Sequence, residues 1–464
     1  MKPTIFRSVA VASLLLVGSA MAATRPHYGG SLRVETRGSV YSLDAADLQP
    51  TSPDAADRDH IARLLYDTLV RLNDANSAQP ALAKSWQADP DFRRWEFELR
   101  DNVKLSDGSA LTPKLVAASL SAANPNWRIR LLGNSLIIEN DAPMLTLPAE
   151  LAMARNSIVV RNGNGVLLGS GAFRVREFQP GRKLTLDAND DYWGGRPFVN
   201  TIDFTMGRTL RDQSIDLQAG NADVVEVAPE QVRRAMQEGQ RVSVSSPVEL
   251  IALQFSQNTA VREARVRQAI SQAVDRLSLQ NALLQKQGEA AASLLPQWVS
   301  GYSFLFPPSD LAQARDAAAG LGYTPQLTLA YDNADALART IAERVALNAR
   351  DTGLRVQTIG EPRSASVAAA DARIVHLALP SSDPRTALAA IAGAIHSPEA
   401  SRVAIADAAE DLWAVENAIV QSYNFVPLLY LPQAYGLSPR VKDWVQPRLG
   451  WWPVENVWLE GERP

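Results

Sequence analysis

The sequence predicts an α/β protein built in more than one lobe, and three observations carry this. Segments of period-2 alternation and segments of helical periodicity follow one another along the chain, as βα units do. Several neighbouring strands are joined by turn residues into hairpins, so the sheets are mixed. The 464 residues are enough for two or three separate hydrophobic cores.

In chain order, Gly29-Gly30 leads into "SLRVET", where Leu32 and Val34 alternate with polar residues as in a strand. In "HIARLLYDTLVRL", Ile61, Leu64, Leu65, Thr68, Leu69 and Leu72 recur at helical spacing, which predicts a helix over 60–72. "RRWEFELR" alternates Trp95, Phe97 and Leu99 against charge, a half-buried strand. An Asp107-Gly108 turn follows. Thr112 then serves as N-cap and Pro113 as first helical residue.

Hairpins are expected across Gly133-Asn134 and across Gln179-Pro180-Gly181-Arg182. "VNTIDFTM" is a strand. A helix ending near Gly220 precedes a strand over 224–227. Val266, Ala269, Ile270, Ala273, Val274 and Leu277 line one face of a single helix in "ARVRQAISQAVDRLSLQNALL". "PQLTLAY" is a strand. A helix with Gly353 as its C-cap and a returning strand come next. "ARIVHLAL" is another strand, residues 398–423 form one long helix, and "FVPLLYL" is a strand.

The N-terminus carries Lys2 and Arg7, an apolar stretch from Val9 to Val17, and Ala20-Met21-Ala22. That pattern predicts a secretory signal over 1–22, cleaved after Ala22. The apolar stretch is too short to span a bilayer. There is no cysteine, which removes disulfides, thiolate metal sites and a lipid anchor on cysteine. An exported, untethered chain fits a periplasm. The formal net charge of −4, without a basic run, argues against nucleic acid.

Enzyme chemistry finds no foothold. His27, His60, His376 and His396 show no metal-ligand spacing. No G-x-S-x-G, S-x-x-K or P-loop occurs. "NGNGVLLGSG" has the wrong spacing for a dinucleotide site and leads into a strand; Gly169 to Gly171 is better explained as a tight chain crossing. No catalytic residue, metal ligand or cofactor is assigned.

Several stretches, taken in order, resemble one family. They are "GGSLRVE", "SLDAAD", "LLYDTLVRLNDANSAQPALAKSW", "RRWEFELRDNVKLSDGSALTPKLVAASL", "GSGAFRVREFQPGRKLTLDANDDYWGGRPFVNTIDF", "ARVRQAISQAVDR" and "FPPSDLAQARDAAAGLGY". Together they are similar to the family 5 extracellular solute-binding proteins of ABC transporters, the dipeptide, oligopeptide and nickel type. The similarity runs to about Ile359 and returns over 411–441.

That resemblance implies a two-lobed periplasmic-binding-protein fold with an extra subdomain and a discontinuous first lobe. Lobe I would comprise 23–58, 167–255 and 425–464, the inserted subdomain 59–166, and lobe II 256–424. Chain crossings near 250–256 and 424–430 would form the hinge. It further implies a monomeric receptor that encloses a peptide or peptide-like solute and hands it to the permease and ATPase subunits of an importer. Alternatives remain: a non-peptide or amine-blocked solute on the same fold, or a degenerate receptor with a signalling role.

Candidate ligand contacts follow by position: Ser39, Val40 and Tyr41; Gln254, Phe255 and Ser256; Ser381, Asp383 and Arg385; and Trp452. Tyr41 and Ser256 are equally explained as locally satisfied strand-end residues, Asp383 as an N-cap, and Arg385 as a solvated first-turn residue. Trp451 and Trp452 point opposite ways in a strand, one to core and one to the cavity wall. Trp413 is expected in the core. Tyr192 and Trp193, in "DDYWGGRPFVNTIDF", are expected to pack a corner of lobe I. Where the family carries an aspartate that anchors a peptide amine, this chain has Pro380 and Ser381, and an uncharged site does not offset the desolvation of an ammonium.

Overall fold

The computed structural model describes residues 26–52, 54–302, 310–362, 370–403, 406, 408–452 and 454–461. The predicted secretory signal over 1–22 lies outside them.

One mixed sheet runs through both halves of the molecule. Its main strands are β1 Ser31–Glu35, β2 Phe173–Gln179, β3 Lys183–Ala188, β4 Thr201–Thr205, β5 Val224–Glu226, β6 Arg241–Phe255, β7 Gln326–Asp332, β8 Arg355–Glu361, β9 Ala372–Ala378 and β10 Phe425–Leu437, with the two-residue strand Glu289–Ala290 added against β10. They lie in the order β2-β3-β4-β1-β5-β10-β6-β9-β7-β8. β1 pairs in parallel with β4 and β5, and β7 with β8 and β9. The two long strands β6 and β10 pair antiparallel and cross from one half to the other. β10 is buried along nearly its whole length, as an apolar strand covered on both faces must be.

The β6–β10 ladder breaks where Pro247 faces Pro432, with register shifts on either side. Proline has no N–H to give a ladder, so two facing prolines leave a locally unpaired stretch.

Four apolar cores fill the described residues, three of them against this sheet. The first holds Leu32, Phe173, Leu184, Ile202 and Phe204 together with the C-terminal Trp452, Val457 and Leu459. β6 separates two more, because its alternate residues point to opposite faces. Ile251 and Leu253 meet Ile270 and Ile341 on one side. Leu250 and Ala252 meet Leu388, Leu412 and Ile419 on the other. The fourth core fills the inserted small domain, a four-stranded antiparallel sheet under the helix Pro113–Ala123. Thr112 caps that helix as expected, its hydroxyl accepting from Leu115 N–H at 3.4 Å.

Three expected helices differ. The helix read over 60–72 spans Ala55–Leu65 and stops there. The Leu65 carbonyl accepts from Gly171 N–H at 3.0 Å, and Leu69 belongs to the small-domain core. The single helix after 264 is two, Ala264–Ala273 and Arg276–Leu284. Asp275 breaks it by capping the second, accepting from Ser278 N–H at 3.0 Å, and Leu277 is consequently 58% exposed. The long helix after 398 resolves into Ala400–Val403 and Ala409–Gln421, with residues 404, 405 and 407 outside the description. Trp413 is 43% exposed, so its expected core role does not hold.

The corner at 190–204 is structural. Tyr192 is buried and Trp193 packs against both the first core and that of the small domain. Their polar tips meet at Asp67, which accepts from Trp193 Nε1 at 2.7 Å, Tyr192 Oη at 3.3 Å, Ser170 Oγ at 2.9 Å and Arg71 at 2.8 Å. A Cβ on Gly169 would sit 2.1 Å from the Leu65 carbonyl oxygen, and one on Gly171 2.4 Å from its carbonyl carbon. Glycine there permits the tight crossing expected from "GSG".

Candidate functional site

A cleft of about 1550 Å³, open mouth included, lies between the two halves of the sheet. The loop after β1 brings Arg37 and Gly38. The end of β5 and the chain after it bring Glu226 to Glu230, and β6 contributes Glu249 near the proline break. β9 contributes His376, and the N-terminus of the helix Ala336–Arg350 contributes Asp335. Glu249 and His376 share a face of the β6–β9 ladder, since His376 pairs with Ile251 two residues on.

These side chains form a charge chain across the cleft. Glu226 accepts from the Arg37 backbone N–H at 2.6 Å. The Arg37 guanidinium is 3.7 Å from Asp335, which lies 3.4 Å from His376 Nε2. His376 Nδ1 is 2.5 Å from Glu249. Burial disfavours the charges of Arg37, Asp335, His376 and Glu249, and the opposite charges of their neighbours outweigh it. Glu249 and Asp335 raise the His376 pKa above the ordinary imidazole value despite burial. His376 and Arg37 in turn keep Glu249 and Asp335 below the usual carboxylate range. Glu230 is the exception: burial, then the Asp335 charge, pushes its pKa up, and its Oε2 is shut from solvent without a hydrogen-bond partner.

A smaller pocket of about 580 Å³ adjoins the cleft and shares Ala55, Ala56, Ala378 and Gln433 with it. Its walls are mostly apolar: Leu48, Pro50, Met153, Val248, Leu379, Pro380 and Leu449.

The residues expected from sequence are not gathered around this cleft. Ser39, Val40 and Tyr41 pass it by. Val40 is fully buried, and Tyr41 is 69% exposed, its ring lying over Gly181; the cleft is reached two residues earlier by Arg37 and Gly38. Gln254 and Phe255 stand at the far end of β6 and Ser256 just past it, about 17 to 23 Å along the chain from Glu249. Phe255 is in the second core, and Ser256 Oγ accepts from Asn258 N–H.

Ser381 is 2% exposed and accepts from Asp383 N–H at 3.1 Å. Asp383 caps the helix Pro384–Ala394, accepting from Thr386 N–H at 2.8 Å. Arg385 is half-buried in its first turn. This segment contacts the small domain: Ser382 donates to Asn76 at 2.9 Å and Thr386 to Thr146 at 3.2 Å. Within it Pro380 alone lines either cavity. Trp452 is 3% exposed and stacked on His60, with centroids 4.3 Å apart. It is a core residue and not a cavity wall, because the first core closes around its ring.

The sequence did carry one missed signal. Glu249 and His376 are titratable residues flanked by apolar neighbours in "VELIA" and "IVHLAL". A charge in such a run needs a partner or a ligand.

The chain matches the profile of the bacterial extracellular solute-binding proteins, family 5 middle region, over residues 77–135 and 137–391. It belongs to that family. Its members bind solutes and are not enzymes, and this chain is a solute-binding protein of the same two-lobed fold.

Among named relatives it is 24% identical over 349 residues to the nickel-binding periplasmic protein of Escherichia coli K12, covering 65% of this chain and 66% of that one. The matched stretches thus span two thirds or less of the first curated relatives, 49% in the nickel-binding protein NikA of Staphylococcus aureus. The oligopeptide-binding protein AppA of Bacillus subtilis, solved with a nonapeptide, superposes with a TM-score of 0.81 at 18% identity, covering 94% of this chain and all of that one. Among the described residues no helix is long and apolar enough to cross a membrane.

Proposed function

We propose that this chain is a periplasmic receptor that closes its two lobes on a small, peptide-like solute and presents it, as a monomer, to the permease and ATPase of an ABC importer. The cleft between the halves of the crossing sheet, spanned by the Arg37–Asp335 pair, is the observation that carries it. The expected hinge crossings at 250–256 and 424–430 lie beside the ladder break at Pro247 and Pro432, which supports a hinge in this region. Opening there exposes the cleft, and closure adds contacts from both sides and expels water. The secretory signal over 1–22 routes the chain to its compartment and is removed.

A second reading has its own support. Pro380, at the position of the family's amine anchor, forms part of an apolar wall, which favours a solute whose amine is absent or held elsewhere. Mass spectrometry of solute retained by protein purified from its native host separates the two. An intact peptide supports the first reading, and a non-peptide solute supports the second. Protein that is empty and shows no thermal stabilisation across a solute library overturns the receptor role altogether.

A further inference from the structure

The cleft has too few cations for its carboxylates. Glu226, Glu230, Glu249 and Asp335 line it, against Arg37, Arg208 and His376. Arg208 is committed outward, to Asp216 and Glu35. Arg37 and His376 are spread over Glu226, Asp335 and Glu249. Glu230 has one oxygen enclosed and without a hydrogen-bond partner, and both the Asp335 and the Arg37 charges act on it. An enclosed carboxylate oxygen without a donor is costly, and the cost falls when a positive group arrives.

Resting on the receptor reading above, we infer that the solute carries a positive charge, an ammonium or guanidinium, received by Glu230 with Asp335 and Glu249 behind it. Its apolar part lies toward Leu48, Met153, Leu379 and Pro380. The amine is thus taken at a different place from the one where the segment at 380–385 would have offered it. An organic cation fits better than a bare metal ion: among the described residues no three carboxylate or imidazole groups converge closely enough to hold one. The adjoining apolar pocket also needs a hydrocarbon group to fill it.

The test uses the mature chain and three probes of one shape and different charge. These are leucine amide (cation), N-acetyl-leucine amide (neutral) and N-acetyl-leucine (anion), followed by titration calorimetry and thermal shift. Leucine amide is expected to bind at least tenfold tighter than the other two. Glu230→Gln is expected to remove most of that preference without lowering the melting temperature of the solute-free protein, and Glu230→Asp to restore part of it. The inference is overturned if the neutral or anionic probe binds as well as the cation, or if Glu230→Gln leaves the cation's affinity unchanged. In those cases the receptor reading stands. Absence of binding by all three probes also overturns the inference, and the solute retained from the host then judges the receptor reading separately.

Discussion

At the residue scale, two buried carboxylates show how the same group is held in opposite ways. Asp67 sits under four donors including the Arg71 guanidinium, so it ties the 190–204 corner to the small domain. Asp67→Ala strands those donors. We expect a loss of about 3 kcal/mol in urea unfolding; a variant as stable as the parent would contradict this account of the corner. Among the described residues Glu416 has no cation beside it. It is fully buried and accepts from Leu294 and Leu295 N–H and from Tyr302 Oη. Burial outweighs those bonds and pushes its pKa up to about 7 from 4.5.

The folded state therefore keeps the Glu416 proton while the unfolded chain releases it, and stability falls as pH rises from 4.5 to about 7. His60, buried on Trp452, is lowered from 6.5 to about 4, so its contribution is lost as pH falls through that window. The two oppose each other below 6.5, and Glu416 acts alone just above it. Glu416→Gln removes one slope, worth up to roughly 3 kcal/mol. Its melting temperature relative to the parent is expected to be higher at pH 8 than at pH 5; a difference independent of pH would count against the buried-acid account.

At the element scale, the helix Pro384–Ala394 distinguishes capping from recognition. Asp383 is placed by its bond to Thr386 N–H, and nothing in its geometry points to the cleft. Asp383→Ala is expected to cost about 1 kcal/mol of stability and to leave solute affinity unchanged; calorimetry showing a tenfold weaker complex would return it to the binding site. Strands were legible where hydrophobic alternation was strong, as in "RRWEFELR" and "GRKLTLDAN". The polar first half of β6, "RVSVSS", was not, because its partner β10 supplies the pairing and its own residues supply little burial. Helix lengths failed for a related reason. Periodicity continued past Leu65 and past Ala273, but a tertiary claim on the Leu65 carbonyl and a competing cap at Asp275 ended both helices.

At the scale of the whole molecule, Arg37 and Asp335 join the two sides of the cleft. The pair is partly exposed, so its own worth is small, of the order of 1 kcal/mol or less. If the proposed hinge opens and closes there, that would bias the two populations by up to about fivefold. Arg37→Ala is therefore expected to enlarge the radius of gyration of the solute-free protein in X-ray scattering, and the parent is expected to expand similarly in high salt. An unchanged radius in both would show that the pair does not hold the lobes.

What the sequence determined by itself was the local and the collective: turns, caps, alternating strands, and an ordered set of motifs specific enough to identify the family and hence the two lobes. What only the tertiary structure decided was the cleft. Arg37, Glu230, Glu249, Asp335 and His376 are separated by up to 339 positions in the chain, and no spacing rule joins them. Their charges acquire meaning only when the crossing strands bring them into one enclosed space, where low solvent access makes each unpaired carboxylate costly. The segment "PSSDPR", which the sequence marked as the binding region, packs instead against the small domain through Ser382 and Thr386.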